Sequence, residues 1–320
     1  MTTTRTTLPR RISAAGTALA LALAAALSGG VASAVPPSPL GSLAPIGPCE
    51  GPAPTVAPFG DASLPVLGWR ENLVFDGRGR MWVSSVLENR VDGYDAAGHR
   101  VASVEVGSPG GLAVGAGGEV FVVTDPLVVA PTSTIRAFDP DSPRPHARLV
   151  ATLPGGKNGL AADAEGNLYA TGENAAGVTR VRPDGTVDEG WSARAAVHGT
   201  NGIAVRDRTA FVSVTFATDT VLHAIPLDRP EEHRATVLTR LPELARGLDD
   251  LAVTEDAIYA AGMTGGEILR VDRASGAACV LVGGIPGPTS VRVAEGFGGF
   301  GARDLFVTSV DGTVRHVALA

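Results

Sequence analysis

The sequence predicts an all-β protein, a six-bladed β-propeller of four-stranded antiparallel blades around a central channel. Three observations lead to this prediction. One strand–turn–strand unit recurs six times, its period is that of a propeller blade, and glycine and proline account for 41 and 23 of the 320 residues. Such a composition is typical of many short strands joined by tight turns.

The repeated unit is clearest where Asn158, Gly159 and Leu160 lead into a short apolar strand, followed by a turn at 163–167 and a second strand at 168–171. Equivalent units begin at Glu71, Gly110, Asn201, Asp249 and Thr289, so that successive units start 39, 48, 43, 48 and 40 residues apart. This period is typical of propeller blades, because one blade cannot bury both of its faces alone. The propeller is expected to span residues 65–320.

The first strand of each unit has the pattern expected next to the axis. Gly202 and Ala204 alternate with Ile203 and Val205. Strand side chains alternate between faces, so one face is small enough for close packing. We therefore expect this strand to be the innermost of its blade.

The last unit runs out after three strands, near Ala320. We expect residues 62–67 to supply its outer strand and to close the ring. The preceding stretch, 35–64, is rich in proline and predicts an extended, largely irregular lead-in. A disulfide between Cys49 and Cys279 is expected to clasp the closure, with two free thiols as the alternative.

The N-terminus has the order of a secretory signal peptide. Arg5, Arg10 and Arg11 precede an apolar run at 14–27, and an A-x-A site ends at Ala34. The run is shorter than the roughly 20 residues that span a bilayer. We expect cleavage after residue 34 and a secreted protein with no membrane partner, while general secretion and the twin-arginine route both stay open.

Charge excludes one large class of partner. Removal of residues 1–34 deletes three arginines and no acid, which moves the formal net charge from −7 to −10. Such an acidic chain is a poor nucleic-acid binder. We expect a small-molecule partner and a monomer.

The first residue of each unit forms a column of side chains that a propeller brings to one mouth of its channel. The column contains two carboxylates and two amides, at Glu71, Asn158, Asn201 and Asp249. Carboxylates that meet on an axis repel each other unless a cation lies between them. Calcium accepts six to eight oxygen ligands, and zinc prefers nitrogen or sulfur. The column therefore predicts a Ca²⁺ site, with another divalent cation as an alternative. Each residue taken alone is equally consistent with a turn or a solvated loop.

This ordered column resembles that of the senescence-marker protein/gluconolactonase superfamily, and it is similar to the metal-ligand pattern of paraoxonases and diisopropyl-fluorophosphatases. The resemblance covers about residues 65–320. It implies a catalytic calcium held by the four column residues and hydrolysis of lactones, esters or phosphotriesters. It also implies that Asp249 is the nucleophile or general base, and that Glu71 belongs to the catalytic site. The chain departs from paraoxonases at Gly110, where they have a histidine.

Four further residues are candidates for the substrate rim. They adjoin column positions or belong to the column: Lys157, His198, Asp250 and Thr289. Solvated rim charges and an exposed loop histidine are the alternative interpretations.

Two functions remain as hypotheses. The first is an exported calcium-dependent hydrolase of a lactone or ester, in which the metal polarises a carbonyl or phosphoryl oxygen. The second is a non-catalytic secreted propeller that binds a sugar, peptide or protein and keeps a structural calcium. A synthase-like propeller without metal is disfavoured because the acidic residues are present.

Overall fold

The structure is a computed structural model that describes residues 45–320 except 127–129, 174–176, 216 and 241–245. The predicted signal peptide, residues 1–34, and its cleavage site lie outside the described residues. In the described part of the chain, no helix is both long and apolar enough to cross a membrane.

The described residues form a six-bladed β-propeller, which confirms the predicted fold class. Blade 1 contains β2 (Arg70–Phe75), β3 (Met81–Ser85), β4 (Arg90–Tyr94) and β5 (Arg100–Glu105). Blade 2 contains β6 (Pro109–Val114), β7 (Val120–Thr124), β8 (Thr132–Phe138) and β9 (Arg148–Pro154). Blade 3 contains β10 (Leu160–Ala162), β11 (Leu168–Ala170) and β12 (Thr179–Val181).

The remaining blades continue the order. Blade 4 contains β13 (Thr200–Arg206), β14 (Thr209–Val214), β15 (Thr220–Pro226) and β16 (Arg234–Thr239). Blade 5 contains β17 (Leu248–Val253), β18 (Ala257–Gly262), β19 (Glu267–Asp272) and β20 (Ala278–Gly283). Blade 6 contains β21 (Pro288–Val293), β22 (Asp304–Ser309) and β23 (Val314–Ala318), with β1 (Thr55–Phe59) on its outer edge.

Blade 3 differs from the other five blades at its outer edge. Among the described residues it has three strands, and its outer position is taken by a single bridge between Val181 and Val187. A short helix follows, α1 (Glu189–Arg194), whose first turn is capped by the Asp188 side chain. Trp191 of this helix packs against Tyr169 of the blade with ring centroids 5.2 Å apart. The helix therefore covers apolar surface that an outer strand covers elsewhere.

Ring closure uses the N-terminal segment, but not the residues that the sequence suggested. The closing strand is β1, which pairs antiparallel with β23. Residues 62–67 instead fold back on themselves, with a hydrogen bond of 2.7 Å from the Gly68 amide to the Leu64 carbonyl. The prediction at 62–67 was wrong because Pro58 disguised the true strand. Proline is tolerated on an outermost strand, where one side of the backbone has no partner strand.

The predicted disulfide is present and ties the lead-in to blade 5. Cys49 and Cys279 are bonded across 230 residues of sequence. Next to the bond, the Cys49 amide donates to the Val280 carbonyl at 2.9 Å. The segment that precedes β1 is thus fixed to β20, one blade before the blade that β1 completes.

Glycines let the inner strands approach one another closely, as the small-residue pattern predicted. A Cβ atom on Gly111 would lie 2.6 Å from the Asn158 carbonyl oxygen, and one on Gly202 would lie 2.5 Å from that of Asp249. Any larger residue at these positions would push neighbouring blades apart. The start of each inner strand is therefore held near the axis.

Candidate functional site

The column residues lie where the inner strands begin, at irregular points of their ladders. Glu71, Asn201 and Asp249 are each the second residue of an inner strand, and each lies inside a shift of the pairing register. Asn158 precedes β10 by two residues. A β-bulge re-aims side chains and is common next to functional sites. The side chains of these residues therefore do not follow the regular alternation between the two faces of the strand.

The backbone carbonyls of the four candidate ligands are each held by the preceding blade. The carbonyl of Asn158 accepts from the Gly111 amide at 2.7 Å, and the Asn201 carbonyl accepts from the Thr171 hydroxyl. The Asp249 carbonyl accepts from the Ser213 hydroxyl at 2.5 Å.

Blade 6 supports blade 1 in the same way. The Thr308 hydroxyl donates to the Glu71 carbonyl at 3.3 Å. Support from a neighbouring element limits the movement of a functional side chain. The four candidate side chains are therefore positioned by the ring as a whole.

The structure places Glu71 close to Asn158 and Asp249, and close to Glu173, the residue that binds the Asn201 amide. The Glu71 side chain is buried, and burial raises its pKa to about 7. The indole of Trp69 and the amide of Asn158 oppose this shift, whereas the charge of Asp250 adds to it. Burial also raises the pKa of Asp249 well above its ordinary value, and the charge of Glu71 raises it further.

A fifth residue, Glu173, belongs to the same cluster, and the sequence pattern did not reveal it. Its carboxylate accepts a hydrogen bond of 2.8 Å from the Asn201 amide. Burial raises the pKa of Glu173 to about 7, and the charge of Glu71 contributes. Glu173 follows the second strand of blade 3 and lies outside the column. A search for acids just after Thr171, whose carbonyl pairs with the Asn158 amide, would have found it.

The cluster contains acids on which no basic group acts among the residues that the structure describes. Glu71 and Asp249 are buried and Glu173 is partly buried, and the charges that act on them come from one another and from Asp250. Of the six buried oxygens that have no hydrogen-bond partner in the described part of the chain, three belong to the column or adjoin it: Glu71 Oε2, Asn201 Oδ1 and Asp250 Oδ1. Buried acceptors are normally satisfied, and a group of them points to a ligand.

A divalent cation with oxygen preference fits this donor set. Calcium takes carboxylate and amide oxygens in flexible geometry. Within the described residues, no three His, Cys, Asp or Glu side chains converge as a metal cluster. The candidate set consists instead of carboxylates mixed with amides, which suits a hard cation better than zinc.

Asp250 lies in a polar network instead of facing freely onto the rim. Its Oδ2 accepts hydrogen bonds of 2.7 Å from both Asn72 and Ser290, and it pairs with Arg292 at 2.5 Å. The Asn72 side chain also accepts from the Leu112 amide at 3.3 Å. This network joins blades 1, 2, 5 and 6. Arg292 compensates Asp250, so Asp250 differs from the three uncompensated acids.

The other rim candidates lie in three different environments. Thr289 is buried, and its hydroxyl donates to the Arg70 carbonyl at 2.6 Å, so it joins blade 6 to blade 1 and does not reach the rim. Lys157 is also buried, and burial lowers its pKa to about 8. His198 is exposed in the loop before β13. Gly110 gives blade 2 no side chain in the column.

No protein-family model matches the sequence, and no curated protein is similar to it by sequence comparison. Solved structures do share the fold. A gluconolactonase from Xanthomonas campestris is 16% identical with a TM-score of 0.61, over 87% of this chain and 98% of that protein. A streptogramin B lyase is 11% identical with a TM-score of 0.57, over 83% of this chain and 98% of that protein.

A third structure of this fold is the virginiamycin B lyase from Staphylococcus aureus. It is 13% identical with a TM-score of 0.53, over 83% of this chain and the whole of that protein. The fold expected from the resemblance to gluconolactonases is therefore confirmed. At such identities the likeness establishes architecture alone, since one propeller fold hosts many functions.

Proposed function

We propose that this protein is an exported, divalent-cation-dependent hydrolase that acts on a lactone or a related ester. The observation that carries the proposal is the largely buried cluster of Glu71, Glu173 and Asp249 beside amide oxygens, on which no basic group of the described residues acts. Uncompensated buried acids with raised pKa values are typical of functional sites. The shared fold with gluconolactonases supports the lactone class.

Four residues would hold the cation, which we propose to be calcium: Glu71, Asn158, Asn201 and Asp249. When bound, the cation supplies Lewis acidity that polarises a substrate carbonyl oxygen, and it offsets the charge of the acids. The partnerless Glu71 Oε2 and Asn201 Oδ1 are the atoms that favour this assignment. Four protein ligands leave coordination positions for water or substrate.

The chain's own residues would act on the proton of the attacking water. Asp249 is buried near the start of β17, and we assign it the role of accepting this proton. Glu173 orients the Asn201 amide through the 2.8 Å hydrogen bond, so that the amide oxygen faces away from Glu173. Asp250, fixed by Arg292 and Ser290, lies next to Asp249, and its charge contributes to the raised pKa of Asp249 in the absence of a cation.

A non-catalytic binding module is the second candidate. One observation favours it: blade 2 contributes Gly110 to the column, so the channel lacks a side chain where paraoxonases have a histidine. In this case the cation would only neutralise the channel.

Export, which we infer from residues 1–34, is supported by the Cys49–Cys279 disulfide, because such bonds persist in oxidising compartments.

The test is a hydrolysis assay on a panel of lactones and aryl esters, with Ca²⁺ and with a chelator. We expect turnover that the chelator abolishes and added Ca²⁺ restores. We also expect Asp249→Asn to lose on the order of 10²- to 10⁴-fold in kcat, because a general base is removed. Asp249→Asn that binds Ca²⁺ and retains full turnover would exclude this role of Asp249. Calcium binding without turnover on the whole panel would favour the binding module.

A further inference from the structure

Two histidines meet on blade 4, away from the column residues of the inner strands. His223 lies in β15, and His233 directly follows a short 3₁₀ helix (Pro230–Glu232) and precedes β16. Their Nδ1 atoms are 3.4 Å apart, and the ring centroids are separated by 5.4 Å with an interplanar angle of 51°. His223 is 8% exposed, and His233 is half-buried. The pair is thus a defined cluster with one open side.

A simple hydrogen bond does not account well for this contact. At 3.4 Å, an Nδ1···Nδ1 hydrogen bond between the two rings would be long and weak. Among the described residues, no carboxylate shifts the pKa of either ring: the pKa of His223 is lowered to about 4 by burial and then by His233, and burial lowers that of His233. Both rings therefore stay neutral at ordinary pH, and a neutral imidazole is the form that binds metals.

The separation of the two nitrogens matches the distance between two ligands of one tetrahedral metal ion. Zinc–imidazole bonds are about 2.0–2.1 Å long, so two nitrogens on a tetrahedral ion lie roughly 3.3–3.4 Å apart. We propose that His223 and His233 form a two-histidine site for a borderline transition metal such as Zn²⁺, through Nδ1 of each ring. In the described residues no third His, Cys, Asp or Glu completes a cluster, so water would occupy the other positions.

This site would be chemically independent of the channel. Imidazole nitrogen suits zinc and copper, whereas carboxylate and carbonyl oxygen suit calcium. Both cysteines of the chain are consumed in the disulfide, so no thiolate competes for the metal. A bound ion would tie β15 to the segment that enters β16, the outer strand of the blade. The proposal does not depend on hydrolase activity.

The test is calorimetric titration of the full chain, without a polyhistidine tag, with Zn²⁺ in the presence of saturating Ca²⁺ to occupy the channel. We expect about one equivalent of Zn²⁺ to bind. We expect His223→Gln and His233→Gln each to weaken this binding at least tenfold. The matched control is His99→Gln, since His99 is 77% exposed and remote in sequence from the pair; it should bind as the unmodified chain does.

Two outcomes would overturn the proposal. One is retention of full Zn²⁺ affinity by both variants. The other is that the unmodified chain binds Zn²⁺ no better than a chain that carries both substitutions, His223→Gln and His233→Gln. If the buried His223→Gln fails to fold, judged by circular dichroism, the half-buried His233→Gln decides the question alone. Co²⁺ provides a second readout, because its visible absorption reports tetrahedral nitrogen coordination, and that signal should vanish in His233→Gln.

Discussion

Glu71 and Asp76 stand at opposite ends of the same inner region of blade 1, and both are buried. Asp76 accepts hydrogen bonds from Arg80 Nε at 2.6 Å, from Trp82 Nε1 at 3.1 Å and from the Arg78 amide at 2.8 Å. Burial by itself would raise the pKa of Asp76, but these bonds outweigh it and the pKa falls below its ordinary value. Glu71 has a partnerless oxygen, and its pKa rises to about 7.

The difference shows that partners, more than burial, decide what a buried acid does. Asp76 stabilises the fold because its charge is compensated inside the blade. Glu71 costs stability in the absence of a cation, because its charged form is neither solvated nor paired. Natural proteins keep such local conflicts mainly at functional sites. The channel end of β2 therefore has the character of a site, and its opposite end has that of a structural joint.

The largest expected effect is on activity, and it comes from neutralising Glu71 and not from neutralising Asp76. Glu71→Gln should lower kcat/KM at least about a hundredfold, since a ligand matters no less than the groups that orient it. Asp76→Asn should leave kcat/KM nearly unchanged. It should lower the melting temperature by roughly 5–10 °C, because it loses about 2–3 kcal/mol of charge-assisted hydrogen bonding. Full activity in Glu71→Gln would contradict the proposed difference in role between Glu71 and Asp76.

A smaller effect is expected from pH in the metal-free protein. The pKa of Glu173 is raised from 4.5 to about 7, so the folded chain holds more protons than the unfolded one between these values. Its contribution to stability is present below pH 4.5 and is lost as the pH rises through about 7. His223, with a lowered pKa, acts in the opposite direction between pH 4 and 6.5. Comparison with Glu173→Gln removes that opposing effect.

Denaturant unfolding in chelator measures the pH effect. Between pH 5 and 8, we expect the stability of the unmodified chain to fall relative to Glu173→Gln by about 3 kcal/mol. Saturating Ca²⁺ should reduce this difference, because the cation compensates the ionised acids. Parallel stability curves for the two chains would show that Glu173 ionises as an ordinary surface carboxyl.

The smallest effect is expected from the hydroxyls that support the column. Ser213 donates to the Asp249 carbonyl and accepts from the Gly202 amide at 2.8 Å. Ser84 occupies the matching position in blade 1, and its hydroxyl hydrogen-bonds with the backbone of Asn72 in the same blade. Ser213→Ala should lower kcat by a few fold with little change in KM, and Ser84→Ala should not. Both should cost about 1 kcal/mol of stability, and Ser213→Thr should restore kcat. Equal kinetics in the two alanine variants would refute a positioning role.

Much of the architecture was predictable because a propeller is a local repeat. The six units, the innermost strand with its small residues and the column of Glu71, Asn158, Asn201 and Asp249 each depend on a short stretch of chain. The closing strand was misplaced because its pairing depends on β23, more than 250 residues later, and not on any local pattern. Prolines at 54 and 58 then hid a strand that only an edge position permits.

Local residue order was thus sufficient for the repeat, for the acidic column and for the pairing of the two cysteines of the chain. Only the closed ring decided which acids share one environment. Glu173 belongs to the cluster because it binds the Asn201 amide. Asp250 adjoins Asp249 in sequence, but it is paired with Arg292 and Ser290 instead. The physical reason is that charge interactions depend on distance in space and on the exclusion of solvent. The acids come close together and away from solvent only when six blades meet around one axis.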